Sequence, residues 1–150
     1  MIKISRLADY AVVVLTTLAH QSEGLMSAGA VAQRTHLPEP TVAKVLKLLA
    51  KGNIIESIRG ANGGYKLARS APRIQVADII KAIEGPVSLT ACVEGSKETC
   101  DYHAHCKVKG RWDDVNMAIQ VALESITLAD MMSGHSFLKI PRETELHERL

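Results

Sequence analysis

The segment Leu37-Pro38-Glu39-Pro40-Thr41-Val42-Ala43-Lys44-Val45-Leu46-Lys47-Leu48-Leu49-Ala50-Lys51 carries two prolines and then a run with helical spacing. Pro40 suits the first turn of a helix, where a missing N–H leaves no bond unmade. From there to about Lys51, the residues Val42, Val45, Leu46 and Leu49 share one face. Thr41, Lys44, Lys47, Leu48 and Lys51 share the other, which carries three lysines and no acid. Such a helix is either an ordinary amphipathic helix with a solvated side or one whose outer side meets a polyanion. Its neighbours decide between the two.

Downstream, Gly52-Asn53 ends the helix. Ile54 to Ile58 and Tyr65 to Leu67 then read as two strands joined through Arg59-Gly60-Ala61-Asn62-Gly63-Gly64, a short glycine-rich hairpin. Upstream, Ser5 caps a first helix in which Leu7, Ala11, Val14, Leu15 and Leu18 recur at three- and four-residue steps, ending between Gln21 and Gly24. Ser27 opens a short second helix to about Thr35, with an incomplete capping box because Ala30 stands where Glu or Gln would close it. Helix, short helix, proline-marked turn, helix and glycine-tipped hairpin form the order of a winged helix-turn-helix, a DNA-binding arrangement. In that arrangement Lys44 and Lys47 neutralise phosphates, and Thr41 reaches a base edge or a thymine methyl. Arg59 enters a minor groove or clamps a phosphate, and Tyr65 completes the contact set at the wing.

A fourth helix, Val76 to Glu84, stops at Gly85-Pro86. No period emerges from there to about Lys109, and a loop of that length in a compact domain usually has a task. A fifth helix from Arg111 to Ser125 places Trp112, Val115, Ile119, Ala122 and Ile126 on a seam for a partner helix, and Thr127 with Asp130 caps one last turn. The expected organisation is therefore mainly α. A winged helix-turn-helix over 1–84 is followed by a cysteine loop over 85–110, a dimerisation helix over 111–132 and a polar, flexible tail over 133–150. Because a monomer binds a single half-site weakly, the seam points to a homodimer on double-stranded DNA.

Composition sets outer limits. The chain has 150 residues, 47% hydrophobic and 23% charged, the balance of one globular domain, and lacks an apolar run of bilayer length. The Ala11 to Leu15 run is too short and wrongly flanked for a signal peptide, so a cytoplasmic protein without membrane contact is expected. The five aromatic residues argue against a base-stacking or sugar-binding platform. A formal net charge of +2 conceals an asymmetry: residues 1–70 carry nine basic and four acidic side chains, net +5, and the remainder carries nine and twelve, net −3. A basic front fits a polyanion partner.

All three cysteines, Cys92, Cys100 and Cys106, lie in the loop, with seven and five intervening residues. An odd count in an intracellular chain leaves no closed disulfide set. Three thiolates suit an iron–sulfur cluster, zinc or cuprous ion, but the spacing is not the paired knuckle of a zinc ribbon. Spacing alone leaves a cluster, zinc and no metal all open. A fourth ligand is sought among His103, His105 and Asp9, each of which also has a plain reading as a solvated or helix-dipole residue. Direct sensing of oxidants by the thiols is the rival, with Lys107 and Lys109 beside Cys106 favouring the thiolate. A zinc-dependent hydrolase, which would need a small-molecule substrate, finds neither a His-Glu helix motif nor a nucleophile elbow.

Four segments together resemble a known family, the iron–sulfur-sensing winged-helix transcription regulators of the IscR, NsrR and RirA types. They are Ile4-Ser5-Arg6-Leu7-Ala8-Asp9-Tyr10-Ala11, the wing Ile58-Arg59-Gly60-Ala61-Asn62-Gly63-Gly64-Tyr65, the cysteine triplet and Ile126-Thr127-Leu128-Ala129-Asp130. The start is most similar to the subgroup that regulates SUF iron–sulfur assembly operons. The resemblance implies a homodimeric cytoplasmic regulator, not an enzyme, whose long helix pairs subunits. It also implies that Cys92, Cys100 and Cys106 ligate a 2Fe-2S or 4Fe-4S cluster whose state sets promoter affinity. In some members a residue of the partner's N-terminal helix is the fourth ligand, and Asp9 occupies that stretch. The IscR type has a histidine after the third cysteine, whereas Lys107, Val108 and Lys109 stand here, and the longer first cysteine gap is similar to the RirA type. An acidic residue that the IscR type carries near the recognition-helix start is replaced by Ala43 and Lys44, so promoter preference does not transfer.

Overall fold

A computed structural model describes residues 2–21, 23–102 and 104–135. Its elements, in order, are α1 (Arg6–Ala19), α2 (Ala28–Thr35), α3 (Glu39–Lys51), β1 (Ile55–Ile58) and β2 (Gly64–Leu67). A 3-10 turn (Ala71–Arg73), α4 (Val76–Glu84), α5 (Arg111–Glu124) and α6 (Leu128–Met132) follow. The fold is mainly helical with one two-stranded antiparallel sheet.

Caps set the helix starts. The Ser5 hydroxyl accepts from Ala8 N at 3.2 Å and the Ser27 hydroxyl from Ala30 N at 3.1 Å, so Ser27 caps α2 without the missing acid. The first helix is shorter than its periodicity suggests, ending at Ala19 with His20 as its C-cap rather than between Gln21 and Gly24. His36 closes α2 in the left-handed conformation (φ 56°), and Pro38 starts α3 without a side-chain cap. That left-handed residue and the proline make the tight turn between the two helices.

One core joins these elements. Val14 and Leu15 of α1, Val31 of α2 and all four inward residues of α3 are fully buried. Each such aliphatic side chain contributes about 1.5–3 kcal/mol over its exposed state. Gly52 is required where α3 meets α4, since a Cβ there would stand 2.7 Å from the Ala82 Cβ. Two short backbone pairings tie outlying segments to this body. Met26 exchanges hydrogen bonds with Tyr65 (3.0 and 2.9 Å), which fastens the wing base to the segment before α2. Farther along the chain, Val76 N donates to Ile126 O and Leu128 N to Ile74 O, both at 2.8 Å, so the chain leaving α5 pairs with the segment entering α4.

The fifth helix packs on the chain's own body through few residues. Its buried residue is Asn116, with Ile119 and Leu123 half-buried, while Trp112 (42% exposed) and Val115 (44%) face solvent. Of the expected seam, Ile119 is thus partly covered by the chain's own body while Trp112 and Val115 stay exposed, and Met117 and Val121 are exposed on the opposite side of the helix. The tail expected over 133–150 lies outside the described residues from 136 onward. Among the described residues no helix is long and apolar enough to cross a membrane.

Candidate nucleic-acid interface and cysteine loop

The division of α3 is complete. Val42, Val45, Leu46 and Leu49 are each 0% exposed, while Lys44, Lys47 and Lys51 are exposed and Thr41 is half-buried near the helix start. Among the described residues the ion pairs are Lys66–Glu56 at 3.2 Å and Arg69–Asp78 at 2.6 Å, so none of the three α3 lysines is neutralised. The one acid in the first turn, Glu39, lies over α2 beside Gly29, away from the lysine face.

The wing presents Arg59 at an exposed tip. Its register pairs Ile55 with Leu67, Glu56 with Lys66, Ser57 with Tyr65 and Ile58 with Gly64. Gly63 N donates to Gly60 O at 3.0 Å, and a Cβ on Gly63 would fall against the Ile58 carbonyl oxygen, so the turn closes only around a glycine. Tyr65 is half-buried and packs against the core through its ring side, with its backbone held by Met26.

Arg69, absent from the sequence reading, anchors the base of this wing. Its guanidinium donates to the Asp78 carboxylate, to Arg73 O at 2.8 Å and to Asn53 O at 3.2 Å. It therefore joins the end of the wing, the turn after α3 and the first turn of α4. The only sequence signal was an arginine two residues past a predicted strand, with no hint of its acceptors.

In the cysteine loop all three thiols are free and half-buried. The Cys92 sulfur lies 3.1 Å from the Thr90 hydroxyl. Around Cys92 the loop is fastened: Leu89 N donates to Asn116 Oδ1 at 3.1 Å, Asn116 Nδ2 donates to Val87 O at 3.0 Å, and Val93 is buried. Beyond Glu94, whose N–H lies 3.4 Å from Asp113 Oδ1, the described bonds of the loop are short-range turns such as His105 N to Tyr102 O. Among the described residues no group of three or more His, Cys, Asp or Glu side chains is arranged to hold a metal ion. The expected convergence of the three cysteines is thus not formed within the single chain. Among the described residues the Cys92 segment is held on α5, and no described hydrogen bond draws Cys100 or Cys106 to it. Asp9 is exposed on α1 and His105 is exposed in the loop, while His103 lies outside the described residues. The donor set itself, three thiols, is of the soft kind that suits iron–sulfur ligation.

A helix-turn-helix with a basic recognition helix, followed by a glycine-tipped wing, defines a DNA-binding transcription regulator. Residues 4–134 match the Rrf2 family, described as an iron-dependent transcriptional regulator, and the chain belongs to that family. The HTH-type transcriptional regulator IscR of Xenorhabdus nematophila is 29% identical over 141 residues, covering 93% of this chain and 85% of that protein. Among solved structures, T. potens IscR is 32% identical with a TM-score of 0.64, covering 97% and 96% of the two chains. CymR, the global cysteine regulator of B. subtilis, is 29% identical with a TM-score of 0.69, covering 91% and 100%. These relatives are transcription regulators rather than enzymes.

Proposed function

We propose that this regulator binds promoter DNA as a homodimer through Thr41, Lys44, Lys47, Arg59 and Tyr65. In this reading it represses iron–sulfur assembly or iron-related genes, and an iron–sulfur cluster held by Cys92, Cys100 and Cys106 sets its affinity. The observation that carries the DNA contact is the two-faced α3, with four residues wholly in the core and three lysines opposite that have no ion-pair partner among the described residues. The exposed apolar side chains of the expected α5 seam, Trp112 and Val115, support pairing of two copies.

The three loop thiols would hold the cluster, with Asp9, His103 or His105 as candidates for the fourth position. When bound, the cluster supplies a redox-active centre and a tie among sulfurs that the chain alone leaves apart. The chain's own part is to hold Cys92 against α5 and to connect α5, through the Ile126–Val76 and Leu128–Ile74 backbone bonds, to the segment below the wing. A coupling of about 1–3 kcal/mol between loop state and DNA binding changes affinity some 5–150-fold.

A second reading is favoured by the free thiols and by the Thr90 hydroxyl on the Cys92 sulfur: direct sensing through cysteine oxidation, with zinc as a further occupant. Anaerobic purification, with a visible spectrum and iron and sulfide counts per chain, separates the two. A brown protein that bleaches in air supports the cluster. A protein with neither iron nor sulfide, even after anaerobic reconstitution, overturns it in favour of the thiols or zinc.

A further inference from the structure

Asn116 is the one buried polar side chain among the described residues, on a helix whose apolar residues Trp112, Val115, Met117 and Val121 are exposed. Burying an amide is costly unless its groups are bonded. Here the partners are not on α5 but on the backbone 27 and 29 residues away: Leu89 N–H donates to the amide oxygen at 3.1 Å, and the amide nitrogen donates to Val87 O at 3.0 Å. One side chain thus satisfies a donor and an acceptor of the same loop segment, two residues apart. On the other side of Cys92, Val93 is 4% exposed and Glu94 N lies 3.4 Å from Asp113 Oδ1, one turn back along α5. Residues 87–94 are therefore laid along α5, and Cys100 and Cys106 lie beyond the fastened part.

We propose that Asn116 is a positioning residue that fixes Cys92 as the stationary thiol of the loop, so that a change at the other two cysteines is made against α5 rather than against a free chain. The loop's task as a sensor rests on the functional reading above, whereas the fixing of Cys92 does not. Asn116 provides both a donor and an acceptor. Leucine, of similar size, removes both. Aspartate keeps the acceptor for Leu89 N–H but sets a carboxylate against the Val87 carbonyl.

The test uses the full chain, reduced and metal-free, with Asn116→Leu and Asn116→Asp. Iodoacetamide labelling is followed at each cysteine separately, and hydrogen exchange is followed over 87–91 and over α4. The expected result is labelling of Cys92 and exchange at Leu89 faster on the order of tenfold in Asn116→Leu, the factor that losing a buried amide pair supplies. Asn116→Asp falls between, and Cys100, Cys106 and α4 stay at wild-type rates. Unchanged Cys92 labelling and unchanged Leu89 exchange overturn the proposal. An equal rise at all three cysteines also overturns it, because that is general loosening rather than positioning. Should the leucine variant not fold, the aspartate variant carries the same comparison. Iron and sulfide counts on the wild-type chain test the cluster separately, so the two readings fail independently.

Discussion

Arg69 donates to Asp78 at 2.6 Å while the rest of its guanidinium reaches the carbonyls of Arg73 and Asn53, so one side chain fastens the wing to the ends of α3 and α4. The planar fork reaches three separate acceptors from three different nitrogens, whereas an ammonium offers its three donors from a single point. Both side chains of the pair are about a third exposed, at 32% and 40%, and solvent screening limits what the charge contributes.

Arg69→Lys is therefore expected to lower stability by about 1–2 kcal/mol, mainly through lost bonds to carbonyls. Urea unfolding of both proteins measures it. Coincident midpoints would show that the three bonds are dispensable.

Neighbours on α3 separate folding from binding. Leu46 is fully buried and Lys47 is exposed. Leu46→Ala is expected to cost about 2–5 kcal/mol in unfolding free energy. Lys47→Ala should stay within about 0.5 kcal/mol. DNA affinity should fall for the lysine variant alone when both are compared below the unfolding range. A lysine variant that binds DNA as tightly as the wild type would remove Lys47 from the interface.

Gly63→Ala strains the wing, because the new Cβ meets the Ile58 carbonyl oxygen and lies 2.9 Å from Gly60 O. A cost of about 1–3 kcal/mol is expected, confined to the hairpin. Hydrogen exchange should rise at the hairpin and not in α1, with weaker DNA binding. Wild-type binding and exchange would mean that the turn has a second conformation that tolerates a side chain.

Asp130 gives a pH dependence of known sign. Its carboxylate accepts from Thr127 N at 2.8 Å and from the Thr127 hydroxyl at 2.7 Å, and these bonds, the backbone one first, hold its pKa below the ordinary value of 3.8. A depressed folded pKa means that the unfolded chain binds more protons in acid. The stabilisation is thus present above the ordinary value and is lost as pH falls through it toward the lower folded pKa. Asp130→Ala should be less stable than wild type near neutrality, and the gap should close on acidification. A gap independent of pH would point to packing instead of the capping box.

Much of this architecture was legible in the sequence because local rules act there without competition. The limits of α4 coincide with the expected Val76 to Glu84, where Gly85-Pro86 stops the helix, and the two faces of α3 follow from four apolar residues at regular spacing. The Thr127–Asp130 capping box was likewise visible at its three-residue spacing. Asn116 was not, since apolar periodicity gives an amide no weight and its partners are backbone groups nearly thirty residues away. Nor could spacing show that Cys92 is fastened while Cys100 and Cys106 are not, because that depends on which loop backbone α5 covers. The Met26–Tyr65 pairing was hidden for the same reason: a two-residue bridge leaves no period.

The salt dependence of DNA affinity most directly tests whether α3 and the wing form one reading surface. The measurement compares wild type with Lys44→Ala/Lys47→Ala/Arg59→Ala on a duplex selected from a random pool by the wild-type protein. Three lost phosphate neutralisations should make the slope of log affinity against log salt shallower by about 2.7 per chain. A triple variant that still folds and keeps the wild-type slope would contradict the assignment and place the DNA elsewhere on the molecule.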